Sequence, residues 1–368
     1  MSEPAPVPAL RRDYTIVLEI VPTAPLTHGM GTEGNAQILL RREWSVPTPD
    51  GAETLDVPAV SGAAVKATLR EWAVRDYLER AGVPEGHVSR DVLRLLQKGG
   101  QTSSGGQTIS LAEIRRLRDL CPMLAVFGSM DGGVPIRGAI QVSDATPWIR
   151  ELVDAGLLPR EIRPLRVDLE GRALVQGPPI PIYPGRRPVD LHGTTTEATY
   201  YRHDLIGGNL AHYLPAPEVE ASEDARAAVA EAKRTKGAPK PDAATRREAN
   251  EAMPHSFEAI RPGTPMVCTI RLQSATEVEF AVLGISLVRW IASGAHLGGG
   301  ATKGHGACSV RVAGAISHAP PSGAMPVAPG DPLPALSEDF GGEAVARAYD
   351  AHVQSRAEAI RAWVAGGA

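Results

Sequence analysis

Aromatic side chains make up only 4% of the 368 residues, so the core has to be assembled mainly from Ala, Val, Leu and Ile. No apolar run reaches the ~18–20 residues that cross a bilayer. The opening stretch, MSEPAPVPALRRDY, holds no apolar segment of the kind that directs secretion. Cys121, Cys268 and Cys308 have no CxxC spacing and sit among apolar neighbours. They are expected to be reduced core residues, which points to a cytoplasmic protein with no membrane partner. HxxxH and HExxH are absent, and His203 and His212 lack a metal-binding spacing. GxSxG and a credible Cys–His pair are also absent. No catalytic residue, no metal and no cofactor are therefore expected. Basic charge is not in excess either: the formal net charge is −4, so any polyanion site has to be a local stripe of Arg and Lys. No internal repeat is visible.

What is abundant is glycine (38) and proline (32), which imply many turns and long connections. Tyr14–Val21 reads as a strand, and residues 22–54 as a long polar, Gly-rich connection before a short strand at 55–60. Ser61 caps a helix to about residue 81 whose buried stripe is Val65, Leu69, Trp72 and Ala73. Residues 84–135 read as an insertion. Its GGQTSSGGQT stretch is expected to be a mobile loop, followed by a helix with a Ser110/Glu113 capping box. A strand follows at 138–143. Residues 146–255 are irregular, and the Ala-rich, mixed-charge run 217–252 reads either as an exposed helical pair or, the reading preferred here, as a mobile segment. Strands at 264–272 and 307–313 flank a helix over 276–293, opened by a Thr276/Glu279 capping box, with Phe280, Leu283, Leu287 and Ile291 on one face. A Pro/Gly-rich tail from 316 leads to a helix near 342–365. Without the insertions the order is βαββαβ, which predicts an α+β, ferredoxin-like (RRM-like) core spanning 12–314, with 315–368 as linker and terminal helix.

Three constellations could carry chemistry. In VPAVSGAAVKATLREW (57–72) a strand passes through Ser61-Gly62 into a helix, and free N–H groups there suit a phosphate. Lys66 and Arg70, one turn apart, share a face. In GGGATKGHG (298–306) Gly298, Gly299, Gly300 and Gly304 would permit close approach of a polynucleotide backbone, with Thr302, Lys303 and His305 nearby as donors. The loop follows a helix and enters a strand, so it is not the phosphate loop of nucleotide hydrolases. In PLTHGMGTEGNAQILLRREW (25–44), Arg41 and Arg42 point to opposite sides of an extended chain, and His28 and Glu33 are the only nearby proton-transfer groups. Each motif can equally be an ordinary turn with solvated side chains.

The order of these motifs, with AVFGS at 125–129 and the later Val142-Ser143-Asp144, resembles the CRISPR-associated RAMP superfamily. The similarity is to its Cas-seven-type backbone subunits, over 12–81, 121–145 and 255–314. The resemblance implies that the chain binds crRNA through its sugar-phosphate backbone, stacks with copies of itself and joins other effector subunits. Guide pairing would then bring in the target DNA or RNA strand. It places His28, Asn35, Arg41, Arg42, Ser61, Gly62, Lys66, Arg70 and the 298–305 loop along the RNA. It also implies a helical finger at 84–135 and a thumb within 146–255. Target-cutting relatives carry an Asp in the loop matching 28–43; Asn35 stands here without one, so no target cleavage is expected. Gly-Asn followed by paired arginines is closest to type IV subunits, with type III and type I-D as alternatives. Two other readings stay open: a metal-independent endoribonuclease using His28 and Lys303, and a scaffold that contacts proteins only.

Overall fold

The computed structural model describes residues 11–33, 36–99, 110–131, 134–158, 165–167, 173–175, 188–201, 216–234, 239, 241–242, 245, 254–299, 304–318 and 342–366. The architecture is α+β, and its central sheet belongs to the larger of two compact units, 1–28 with 40–195 and 260–368. Six elements build its centre: β1 (Arg12–Pro22), α1 (Gly62–Arg80), β2 (Ile140–Val142), β3 (Met266–Ala275), α2 (Glu277–Ala292) and β4 (Cys308–His318). The strand order is β4-β1-β3-β2. β1 is antiparallel to both neighbours, with Leu18 opposite Cys268 on β3 and Ile20 opposite Val310 on β4.

Alternation along β1 sends Ile16, Leu18 and Ile20 to one face, all essentially fully buried, and β3 adds Met266, Ile270 and Leu272. α1 and α2 pack on each other, contributing Val65, Leu69 and Tyr77 from one and Leu283, Leu287 and Trp290 from the other. Each fully buried aliphatic side chain contributes roughly 1.5–3 kcal/mol, so this layer fixes which end of α1 meets which end of the sheet. Trp72 departs from the predicted stripe: it is half-buried, and Arg75 lies over its ring at 4.9 Å. α2 is buried nearly all round, including Gly284 and Ser286, because the helix Gly342–Ser355 covers the same layer. Gly342–Ser355 packs on α1 and α2. It is held by Arg80, which pairs with Asp350 and with the buried Asp76, and by Arg356 on Asp119 at 3.0 Å.

The strands and helices outside the insertions fall where the periodicity predicts. The Thr276/Glu279 capping box has both its hydrogen bonds, and the Ser110 side chain accepts from the Glu113 N–H at 3.1 Å. Two stretches differ. Residues 22–54 are not one connection: Arg41–Thr48 and Gly51–Pro58 form a hairpin with eight facing pairs. The reason is local, since Pro49-Asp50-Gly51 is a turn signal between alternating runs. In the run 217–252 the helical alternative holds over its first part, an α-helix at Ala216–Arg234, in place of the preferred mobile segment, and most of 235–252 lies outside the described residues. The 100–109 loop lies outside them as well. All three cysteines are free and buried, and burial pushes each thiol up to about 12. They are therefore poor nucleophiles at neutral pH.

The smaller unit, 29–39 with 196–259, holds a four-stranded sheet in the order Thr195–Tyr201, Pro254–Ile260, Ala36–Leu39, Gly29–Glu33. Ser256 and Phe257 pair in parallel with Ala36 and Gln37.

Candidate nucleic-acid interface

The start of α1 is built by two neighbours. Val60 and Ala145 exchange backbone hydrogen bonds, Val60 N–H to Ala145 at 3.0 Å and Ala145 N–H to Val60 at 2.8 Å. Asp144 is thereby fixed beside the helix end. One of its carboxylate oxygens accepts the Gly62 N–H at 2.8 Å, and the other accepts from Arg42 Nε at 2.6 Å. The Ser61 hydroxyl oxygen accepts the Ala64 N–H at 3.2 Å. The expected anion site at the helix start is therefore largely filled by the protein's own carboxylate, and Ala63 has the one early N–H left over among the described residues. Arg42 is neutralised by the same group. Burial alone would raise the Asp144 carboxyl. The hydrogen bonds from Arg42 and Gly62, with the nearby positive charge, outweigh it and hold the carboxyl below its usual range.

Asp144→Asn removes the charge that faces both the helix end and Arg42. A loss of about 1 kcal/mol is expected, the scale of a cap with its dipole interaction. Because the folded pKa is lowered, this contribution is complete above the ordinary carboxylate value near pH 4. It disappears as pH falls through the lowered folded value. Melting curves from pH 3 to 7 should show a wild-type excess stability at neutral pH that shrinks at the acid end; a constant offset across that range contradicts the assignment.

His28 joins the helix start to the glycine loop. Its Nε2 lies 3.0 Å from the Ser61 hydroxyl, which also accepts from the Ala64 N–H; the hydroxyl has a proton and a second lone pair to offer, so the His28 tautomer sets the direction of this hydrogen bond. Thr27, the preceding residue, is bridged to Gly299: the Gly299 N–H donates to the Thr27 carbonyl at 2.9 Å, and the Thr27 hydroxyl donates to the Gly299 carbonyl at 2.8 Å. Ser61 and Gly298–Gly299 thus share one side of the larger unit, separated by two residues of chain. Burial, the largest influence, lowers the His28 pKa; Asp144 opposes it and Arg42 assists it. The shift favours the neutral ring.

The glycine loop is glycine-rich partly for reasons of its own. Gly298 has φ +73°, and a Cβ there would overlap the Thr27 carbonyl oxygen. The close approach at this position is made by the chain itself, not reserved for a ligand. Gly299 and Gly304 are exposed. His305 is buried, 5% exposed, so its ring is not presented with the exposed glycines. Gly300, Thr302 and Lys303 lie outside the described residues, as does Asn35.

The remaining predicted residues divide. Lys66 is half-buried and has no ion-pair partner among the described residues; burial first and the Arg70 charge second lower its pKa. Arg70 is spoken for. Its Nη2 donates to the carbonyls of Phe127 at 2.8 Å and Gly128 at 2.6 Å, and its guanidinium lies 5.6 Å from the Phe127 ring centre. It fastens the AVFGS turn to α1. Arg41 folds back on its own hairpin, donating to the Asp56 carbonyl at 3.3 Å. The residue that pattern reading left without a role is Asp144. Its signal, Ser143-Asp144 closing a strand, stood in the sequence, but nothing local said which helix end it would meet.

No protein-family model matches the sequence, and no curated protein matches it. Among solved structures, the chain is similar to one from a type IV-B CRISPR complex, at 18% identity and a TM-score of 0.43, over 81% of this chain and 89% of that one. It is also similar to Csc2 of Thermofilum pendens, at 14% identity and a TM-score of 0.33, over 97% of this chain and 81% of that one.

Proposed function

We propose that this chain is a non-catalytic backbone subunit of a CRISPR effector complex, of the type IV kind, which holds crRNA by its sugar-phosphate backbone and lines up with copies of itself along it. The reading rests on one observation: Thr27-His28 ties the Ser61 helix start and the Gly298–Gly299 turn together on one side of the larger unit. Lys66 adds a cation one turn into α1 that has no ion-pair partner among the described residues. The βαββαβ succession with the order β4-β1-β3-β2 supports a ferredoxin-like palm. On this reading the helices within 84–135 are the finger and 146–255 supplies the thumb. Backbone binding is blind to sequence, and the guide reads its target by base pairing.

The test is purification of the full chain with its genomic repeat–spacer transcript. RNA of roughly constant length should co-purify, seen as a raised ratio of absorbance at the two standard wavelengths. Protein free of RNA under low-salt conditions argues against the proposal.

A metal-independent endoribonuclease has one feature in its favour: burial lowers the His28 pKa, which favours the unprotonated form a general base needs. Its Nε2, however, is already engaged with the Ser61 hydroxyl at 3.0 Å. Repeat RNA incubated with the protein and chelator is expected to stay intact; cleavage that is abolished by His28→Ala would replace the binding reading with the enzymatic one.

A further inference from the structure

The helical insertion, with Arg137 just after it, carries cations that have no ion-pair partner among the described residues. Lys98, Arg115, Arg116 and Arg137 are all exposed, and none has an ion-pair partner among the described residues. Two nearby carboxylates are already engaged, Asp91 with Arg94 at 3.5 Å and Asp119 with Arg356 at 3.0 Å. Glu113, exposed at the start of the helix Leu111–Leu120, is the acid that remains on that helix. In a chain of net charge −4, these four cations outnumber Glu85 and Glu113, the exposed acids near them without an ion pair among the described residues, so the region is locally positive.

Their placement continues the path that begins at Lys66. Arg70, one turn beyond Lys66, holds the Phe127 and Gly128 carbonyls and lies against Gly99, the residue after Lys98. Arg118 donates to the Arg137 carbonyl at 2.6 Å, fixing the helix that carries Arg115 and Arg116 to that position. Leu111, 74% exposed, sits one turn before Arg115 and offers an apolar spot of the size a ribose or base covers.

We infer that this face of the insertion is a second stretch of the RNA path, where Lys98, Arg115, Arg116 and Arg137 take phosphates of the strand already held at the start of α1. The inference rests on the function proposed above and extends it to residues outside that site. An acidic face of another copy is the competing occupant. Arginine at three of the four positions favours phosphate, whose oxygens match the guanidinium fork. A single exposed leucine is too little apolar surface for a protein interface core.

The test uses the full chain, fluorescence anisotropy, and oligouridine probes of roughly 6 and roughly 20 nucleotides across a salt series. Arg115→Glu combined with Arg116→Glu should weaken the long probe by about tenfold and lower its salt slope by about one or more, leaving the short probe unchanged. Both positions are exposed, and circular dichroism checks that the fold is kept; Lys98→Glu provides an independent second variant. Unchanged affinity for both probes overturns the inference. Lost self-association in sedimentation, with RNA affinity intact, also overturns it and gives the face to another copy. Lys66→Glu separates the two levels: a loss confined to Lys66→Glu removes this inference and keeps the α1 site, whereas a Lys66→Glu variant that binds both probes normally sinks the α1 site itself.

Discussion

Replacing Gly128 with alanine will cost about 3 kcal/mol or more of stability, the sum of a backbone conformation that only glycine adopts readily and an overpacked contact. Gly128 ends the short helix Pro122–Phe127 with φ 76° and ψ 169°. A Cβ there would stand 2.6 Å from the Gly138 nitrogen and 2.8 Å from the Ile136 carbonyl oxygen. Both are backbone atoms, so no side chain can swing aside to relieve the contact. The same residue's carbonyl is one of the two that Arg70 holds, so the damage spreads to α1. At roughly 1–2 °C per kcal/mol for an unfolding entropy scaled to 368 residues, the melting temperature should fall by roughly 3–6 °C. Gly193→Ala is the control: nothing lies within 4 Å of its Cβ position, and a change within about 0.5 kcal/mol is expected there. Equal melting temperatures for the two variants would show that the Gly128–Gly138 crossing does not hold the AVFGS turn in place.

Lys66→Glu is expected to weaken single-stranded RNA binding by about tenfold or more at low salt, uniformly across sequences, with the salt slope reduced by about one. The resemblance set Arg42 along the RNA with the helix pair Lys66 and Arg70, and of these three the structure leaves one available. Arg42 is held by Asp144 at 2.6 Å, Arg70 by two carbonyls, and Lys66 by nothing among the described residues. Burial and the neighbouring Arg70 both press on the charged form of Lys66. A phosphate would relieve both, so the site gains more from an anion than a fully solvated lysine would. Lys66→Arg should retain binding, and Arg70→Lys should lower the melting temperature far more than it lowers affinity. Affinities and slopes for Lys66→Glu that overlay the wild type would show that the RNA does not pass the α1 start.

The alternation at Tyr14–Val21, the 3.6-residue stripes of α1 and α2 and the Thr276-x-x-Glu279 box determined the principal strands and helices by themselves. Each of those signals is local: a side chain's face follows from its own spacing, and a cap from residues three apart. Even the hairpin at 41–58 was locally encoded, in Pro49-Asp50-Gly51. Tertiary structure alone decided that Asp144 fills the helix start at Gly62, that Arg70 clamps Gly128, and that Thr27-His28 joins Ser61 to Gly299. Those partners lie 82, 58 and, for Thr27 with Gly299, 272 residues apart. No periodicity spans such separations. They are set by which strand ends the packed core brings together, and a charged side chain takes whichever partner that packing leaves within reach.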